Sequence, residues 1–236
     1  MTKKIIFISS FIILFQSCGE LQQVVNQLPQ TEQGMGNLEI GNALREALYK
    51  GIDKQVSKLT QTDGFFKNEL VKIVLPEELQ KVDNTLRKIG LSKLADEGLK
   101  VLNRAAEDAV GEATPIFIDA VKGISFTDAR NILMGPENAA TQYLDNGTRS
   151  ALYDKFKPVI QTSFSKVGAD EIWTNLINKY NSIPLTDDIN TDLSDYVTEE
   201  ALKGVYTMIA IEEKEIRSNV ASRTTDLLKK VFRMQD

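Results

Sequence analysis

Apolar residues recur every three or four positions along most of the chain after residue 38, and this period constrains the fold more than any other feature. The first run consists of Leu44, Leu48, Ile52, Val56 and Leu59. This spacing places the side chains on one face of an α-helix, which must pack against other helices. Similar faces follow in residues 94–110, 139–156 and 197–216. The sequence therefore predicts an all-α fold, an irregular multi-helix bundle.

Helix-boundary signals agree with this prediction. Three prolines are expected to begin helices, because a proline at the first helical position loses no hydrogen bond. They are Pro76, Pro115 and Pro136. Ser125 and Asp128 have the spacing of a capping box at a helix start. Pro158 is expected to kink a helix or to restart one.

One segment departs from the helical pattern. Residues 71–75 are rich in β-branched side chains, and Leu75 precedes a proline, which favours extended backbone. No convincing partner strand occurs elsewhere in the sequence. We therefore expect a short extended segment packed on the bundle, with pairing to another short segment as the alternative.

The first 18 residues have the pattern of an export signal. Two lysines precede an apolar run at residues 5–15, which only two serines interrupt. A bilayer-spanning helix needs about 20 apolar residues, so this run is too short and instead fits the h-region of a secretory signal peptide. The run is followed by Ser17 and by Cys18, the only cysteine in the chain.

The Ser17–Cys18 pair resembles the lipobox of bacterial lipoproteins, in which the cysteine is diacylated and the preceding peptide is removed. This resemblance implies attachment to the membrane through a lipidated Cys18, with fatty acids such as palmitate. A plain signal peptide with an incidental cysteine and an uncleaved anchor are the alternatives. The residue after Cys18 is Gly19 and not the aspartate that serves as an inner-membrane retention signal. We therefore expect an outer-membrane location facing the periplasm, with surface exposure left open.

These patterns divide the chain into three parts. Residues 1–17 are the expected lipoprotein signal peptide, and residues 18–37, rich in Gln and Gly, are the expected flexible tether. Residues 38–236 are expected to form a single helical domain, because no Pro/Gly/Ser-rich linker interrupts them.

Composition excludes several partners and reactions. Removal of the signal peptide leaves 26 basic and 33 acidic residues, a net charge of −7, which argues against nucleic-acid binding. The chain has no histidine, so no Ser-His-Asp or Cys-His nucleophile can form and the commonest zinc ligand is missing. No glycine-rich phosphate loop occurs, and residues 186–192 lack the spacing and the glycine of a calcium loop. We therefore expect no cofactor and no metal; carboxylate-dependent hydrolysis is the chemistry that remains.

Polar residues in apolar surroundings are the candidate site residues. They are Asn103, Arg104, Asp119, Asp128, Thr141, Glu213 and Arg217. A buried charge must be paired, and Glu213 and Arg217 are four residues apart on one helix face. Asp119 is the first expected partner of Arg104, with Glu213 or Asp128 as alternatives. The cluster is an internal network that fixes the helices, or it lines a ligand pocket, or its acids carry out carboxylate catalysis.

Several stretches resemble the bacterial lipoprotein family of domain of unknown function 4197. They include DGF (63–65), NRAAEDAV (103–110), DARNILMG (128–135), AATQY (139–143), EEKEIR (212–217) and RTTDLLKKVF (223–232). Phe126 and Tyr206 depart from the family, which usually has methionine and phenylalanine there. The resemblance implies a mainly helical envelope protein and supplies no catalytic residues.

Three functions remain open at this point. The chain is expected to be a binding or scaffolding module rather than an enzyme, with an envelope protein or a lipid-like molecule as its ligand. A purely structural envelope component is the alternative, and a carboxylate hydrolase is the third. A concave pocket would favour the first function, and a solid bundle with an exposed apolar patch would favour the second.

Overall fold

The computed structural model describes residues 37–88, 90, 92–166, 171, 173, 174, 177, 178 and 193–236. Its eight α-helices within these ranges are α1 (Asn37–Leu59), α2 (Glu77–Lys88), α3 (Ser92–Val110), α4 (Ala113–Lys122), α5 (Phe126–Leu133), α6 (Ala139–Lys166), α7 (Ser194–Ser218) and α8 (Asp226–Phe232). Two 3₁₀ helices, Val220–Ser222 and Arg233–Gln235, flank α8. The described residues contain no strand, so the all-α prediction is confirmed. The predicted signal peptide, Cys18 and the tether up to residue 36 lie outside the described residues.

The core is built on α7, because α7 packs against the three other long helices, α1, α3 and α6. The shorter α4 and α5 cover α1 and α6, and α8 packs on α1. Residues 37–236 form one compact unit. The helical faces predicted from the sequence are the buried ones, from Leu44 in α1 to Ile216 in α7. None of the helices within the described ranges is long and apolar enough to cross a membrane.

The predicted helix starts are correct in part. Pro76 directly precedes α2, and Pro115 lies in the first turn of α4. Pro136 lies three residues before α6, because its carbonyl oxygen accepts a hydrogen bond from Ala139 N–H in a turn (3.0 Å) and the helix begins only there. Pro158 lies inside α6, which continues to Lys166, so of the two predicted outcomes the restarted helix is wrong and the kink stays a prediction.

The predicted capping box at the start of α5 is confirmed. Ser125 Oγ accepts from Asp128 N–H (3.1 Å), and Asp128 Oδ2 accepts from Ser125 N–H (3.1 Å). Two otherwise unsatisfied N–H groups of the helix start are thereby paired. Asp128 is therefore committed to a local structural role.

Close packing at Phe65 ties the turn after α1 to the centre of the bundle. Phe65 is fully buried against Gly204 of α7, where an added Cβ would lie 2.6 Å from the ring. Gly64 touches the end of α1, and a Cβ there would lie 2.4 Å from the carbonyl oxygen of Leu59. Both positions require glycine because backbone and side chain approach too closely for any other residue.

Candidate functional site

The structure separates the predicted polar residues into independent groups. Arg104 of α3 pairs with Asp63 and with Glu107, each at 2.5 Å. The expected pairing with Asp119 is wrong. The Asp119 side chain is 80% exposed on α4 and forms its one ion pair among the described residues with Lys122, at 3.5 Å, since the apolar neighbours of Asp119 face the opposite side of that helix. The alternatives Asp128 and Glu213 are bound elsewhere.

Glu107 is the central residue of the Arg104 group, and the sequence analysis missed it. Its buried carboxylate accepts hydrogen bonds from the N–H groups of Asp63 (3.3 Å), Phe65 (3.0 Å) and Phe66 (3.3 Å). Asp63 has φ 69°, the left-handed region, which directs the following N–H groups towards the acid. The spacing of three between Arg104 and Glu107 was the available signal.

Asp63 is held by two cations. Its carboxylate lies 2.7 Å from Lys67 and 2.5 Å from Arg104. The hydrogen bond from Lys67, with a further contribution from the Arg104 charge, lowers the pKa of Asp63 from its ordinary value of 3.8. All four charges of this group are thus used to fix the turn that follows α1.

Asn103 holds the predicted extended segment in place of a partner strand. Its Oδ1 accepts from Ile73 N–H (2.8 Å), and its Nδ2 donates to the carbonyl oxygens of Ile73 (2.9 Å) and Leu99 (2.9 Å). Asn103 is fully buried, and residues 72–76 have no regular secondary structure. The expectation of an extended segment packed on the bundle is confirmed, because a side-chain amide supplies the hydrogen bonds that a neighbouring strand would have made.

Thr141, Glu213 and Arg217 form a second group, at the junction of three helices. The Glu213 carboxylate accepts from Ala140 N–H (2.9 Å), Thr141 N–H (2.8 Å) and Thr141 Oγ1 (2.8 Å), which satisfies the first turn of α6. Arg217 donates to Glu213 (2.8 Å) and to the carbonyl oxygens of Ile132 (2.8 Å) and Leu133 (3.0 Å) at the end of α5. The predicted Glu213–Arg217 pair is confirmed, and both side chains are less than 10% exposed.

The cavity beside this pair is small. Its volume is about 20 Å³, and its walls are mainly apolar side chains of α1 and α7, including Leu44, Leu48 and Ile209. Such a space holds about one water molecule. The cavity that Glu213 and Arg217 line is therefore smaller than a small-molecule ligand requires.

A larger concave surface lies between α6 and α7. This open cleft, of about 590 Å³, is lined by Asp145, Asn146, Arg149, Ser150, Tyr153 and Glu199. Arg149 joins the two acids, donating to Asp145 (2.6 Å) and to Glu199 (2.9 Å), and the hydrogen bond to Asp145 raises the pKa of Arg149. No motif in the sequence pointed to this cleft, because its residues are ordinary exposed or half-buried positions of two helices.

Tyr206, one of the two departures from the family pattern, has a partner for its hydroxyl. Thr148 Oγ1 donates to Leu144 O (2.6 Å), so Tyr206 donates its own proton to Thr148 Oγ1 (2.8 Å). Burial raises the pKa of Tyr206 to about 12. The hydroxyl that replaces a phenylalanine hydrogen is thereby satisfied inside the core.

Arg223 is a second residue that the sequence analysis missed. Its fully buried guanidinium donates to the carbonyl oxygens of Ile216 (3.0 Å) and Arg217 (2.8 Å), at the end of α7. It also makes two bonds of 2.7 Å to Asp236. Arg223 therefore closes one helix and attaches the segment after α8.

Metal binding finds no support in this part of the chain, since no group of three or more His, Cys, Asp or Glu side chains converges among the described residues. Comparison with curated proteins found no match, and comparison with solved structures found none. A family model does match. The model is described as "Protein of unknown function (DUF4197)" and covers residues 34–233, so the chain belongs to this family, as the resemblance predicted.

Proposed function

We propose that this protein is a lipid-anchored component of the bacterial cell envelope, attached through Cys18, whose helical unit faces the periplasm and acts by binding or scaffolding. The anchor rests on the apolar run at residues 5–15 followed by Ser17 and Cys18. The acidic net charge suits a covalent anchor, since such a chain gains little from electrostatic attraction to anionic lipid.

One observation carries the binding or scaffolding role. The predicted polar residues that are buried are used by the fold itself, and the cavity beside Glu213 and Arg217 has room for about one water molecule. A ligand for the interior of the bundle therefore has no support among the described residues. The interior pocket that would favour a small-molecule binding module thus has no support, and we narrow the proposal to binding or scaffolding through the outer surface, on another macromolecule of the envelope.

Carboxylate hydrolysis is the weaker alternative. A two-carboxylate hydrolase needs acids that face each other across a gap that admits water and substrate. In the α6–α7 cleft, the Arg149 guanidinium occupies the position between Asp145 and Glu199 and binds both. This geometry favours a surface held together by ion pairs over a pair of catalytic acids.

Metabolic labelling tests the anchor. Cells fed an alkyne-tagged fatty acid should label the wild-type protein and leave Cys18→Ser unlabelled, with the signal in the outer-membrane fraction. Ser10→Ala, inside the apolar run, is the matched control and should label like wild type. Equal labelling of the wild type and Cys18→Ser would refute lipidation at this residue.

A further inference from the structure

The segment at residues 72–75, which follows a turn at residues 69–71, has two different sides. Ile73 and Leu75 are buried, whereas Val74 between them is 53% exposed. This alternation is that of an extended chain with one face on the core. Val74 thereby exposes an apolar side chain on the outer face, the same face as the half-buried Lys72.

The backbone of this segment has a similar asymmetry. In extended backbone the N–H and C=O of one residue point to the same side, and those of the next residue point to the other side. Both polar groups of Ile73 point to Asn103, which binds them. The polar groups of Lys72 and Val74 therefore point away from α3, along the opposite edge.

That edge is closed at both ends and open in the middle. Lys72 N–H donates to Asn68 O (2.8 Å), and Val74 O accepts from the Tyr196 hydroxyl (2.6 Å). Between these two bonds, Lys72 C=O and Val74 N–H have no hydrogen-bond partner within the described part of the chain. A single residue of a parallel strand can bind both groups. Its N–H would donate to Lys72 C=O, and its C=O would accept from Val74 N–H.

The charge beside the open pair is positive. The Lys72 ammonium lies 5.0 Å from the centre of the Phe66 ring and makes no ion pair with a carboxylate of the described residues. We call the partner residue that binds both backbone groups the bridging residue. In a parallel strand, the residue before the bridging residue would lie next to Lys72, and the residue after it would lie next to Val74. The complementary partner sequence therefore has an acidic residue opposite Lys72, any residue at the bridging position, and a β-branched apolar residue opposite Val74.

From these observations we propose that residues 72–74 form a docking edge for an extended segment of a partner protein, added as a short parallel strand with an acidic residue at Lys72 and an apolar residue at Val74. Backbone hydrogen bonds would supply affinity, and the two flanking side chains would supply specificity. This inference deepens the binding role proposed above and rests on it. A second copy of the chain fits less well, because antiparallel pairing would bring the two Lys72 side chains into diagonal proximity.

The test is a titration of the full-length protein in detergent with a fluorescein-labelled peptide, acetyl-Thr-Glu-Val-Val-Thr-amide, followed by anisotropy and by the Val74 amide signal in NMR. Binding should shift the Val74 amide and slow its exchange with solvent. N-methylation of the central valine removes the donor to Lys72 C=O and should weaken binding about fivefold.

A charge exchange supplies the specificity control. Lys72→Glu should weaken binding of the acidic peptide about threefold and should strengthen binding of a peptide that has lysine in place of glutamate. Lys155→Glu, the same charge change on an exposed position of α6, should alter neither. Equal effects of the two substitutions would overturn the proposal.

Three further outcomes would overturn it. The Val74 amide signal could stay unchanged at millimolar peptide. The peptide could shift only the signals of residues in the α6–α7 cleft. The protein could also self-associate as its concentration rises and perturb the Val74 signal without any peptide. A failed titration would remove the docking edge and leave the lipid anchor untouched, since fatty-acid labelling of Cys18 is measured independently.

Discussion

Removing the Glu213 carboxylate should be among the most destabilising single changes in the described part of the molecule. Glu213→Ala deletes an acceptor that binds the first turn of α6 and the Arg217 guanidinium together. Two N–H groups at the start of α6 would lose their partner, and Arg217 would keep only its bonds to the carbonyl oxygens of α5. A cation that is 8% exposed would then lack a counter-charge.

The expected magnitude follows from the burial of both partners. Truncating one side of a buried ion pair typically costs about 3–5 kcal/mol, because the other charge stays buried and uncompensated. For a domain of this size, about 2–4 °C of melting temperature corresponds to 1 kcal/mol, so Glu213→Ala should lower the melting temperature by about 6–20 °C. A total stability of about 5–15 kcal/mol makes this a large fraction of the whole.

Urea titration at pH 7, followed by circular dichroism at 222 nm, measures the change. Glu199→Ala is the matched control, because Glu199 lies on the same helix and pairs with Arg149 at 2.9 Å but is 54% exposed. The control should change the unfolding free energy by less than about 1 kcal/mol. A Glu213→Ala protein within 1 kcal/mol of wild type would refute the structural role of this pair.

Three further substitutions test other parts of the structure. Asn103→Ala should lower the unfolding free energy by about 2–5 kcal/mol in the same urea titration, because it strands both polar groups of Ile73; an unchanged midpoint would contradict the strand-like role of the amide. Gly147→Ala should raise stability by about 0.5–1 kcal/mol, since the glycine lies inside α6 with open space around its Cα and φ is not positive; a lower melting temperature would contradict this. The ion pair with Arg223 lowers the pKa of Asp236 from its ordinary value of 3.8, so its stabilisation is present above that value and is lost as pH falls through the lower folded pKa. Asp236→Ala should therefore lose stability at pH 7 and show a weaker decline between pH 4 and pH 2; parallel pH profiles of variant and wild type would argue against the linkage.

The helices were predictable because each long helix buries a periodic apolar face. From Leu44 to Leu59 in α1, the spacing alone identifies the buried side, and the capping box at Ser125 and Asp128 is a purely local signal. The start of α6 was not predictable in the same way. The helix begins at Ala139 rather than at Pro136. Its first N–H groups are satisfied by Glu213, which is more than 70 residues away in the sequence.

The candidate polar residues show where sequence reasoning ends. Glu213 and Arg217 were paired correctly, because the partner lies one helical turn away. Arg104 was assigned the wrong partner, because Asp63 lies 41 residues away in a turn whose position depends on the packing of Phe65 against Gly204. Asp119 was misjudged because its apolar neighbours in sequence lie on the other side of α4, and helical neighbours are three or four residues apart rather than adjacent.

Four of the buried polar residues in this bundle share one physical task. Asn103 satisfies an extended segment, Glu107 a turn, Glu213 a helix start and Arg223 a helix end. Each of these groups lies where backbone leaves regular helix and would otherwise be buried without a hydrogen bond, which costs more than the bond itself contributes. A polar residue on an apolar helix face is therefore no sign of a ligand site in this fold until the backbone it serves has been identified. Once those residues are assigned to structure, the edge at residues 72–74 still presents an open backbone acceptor, an open backbone donor and the exposed Val74 side chain within the described part of the chain.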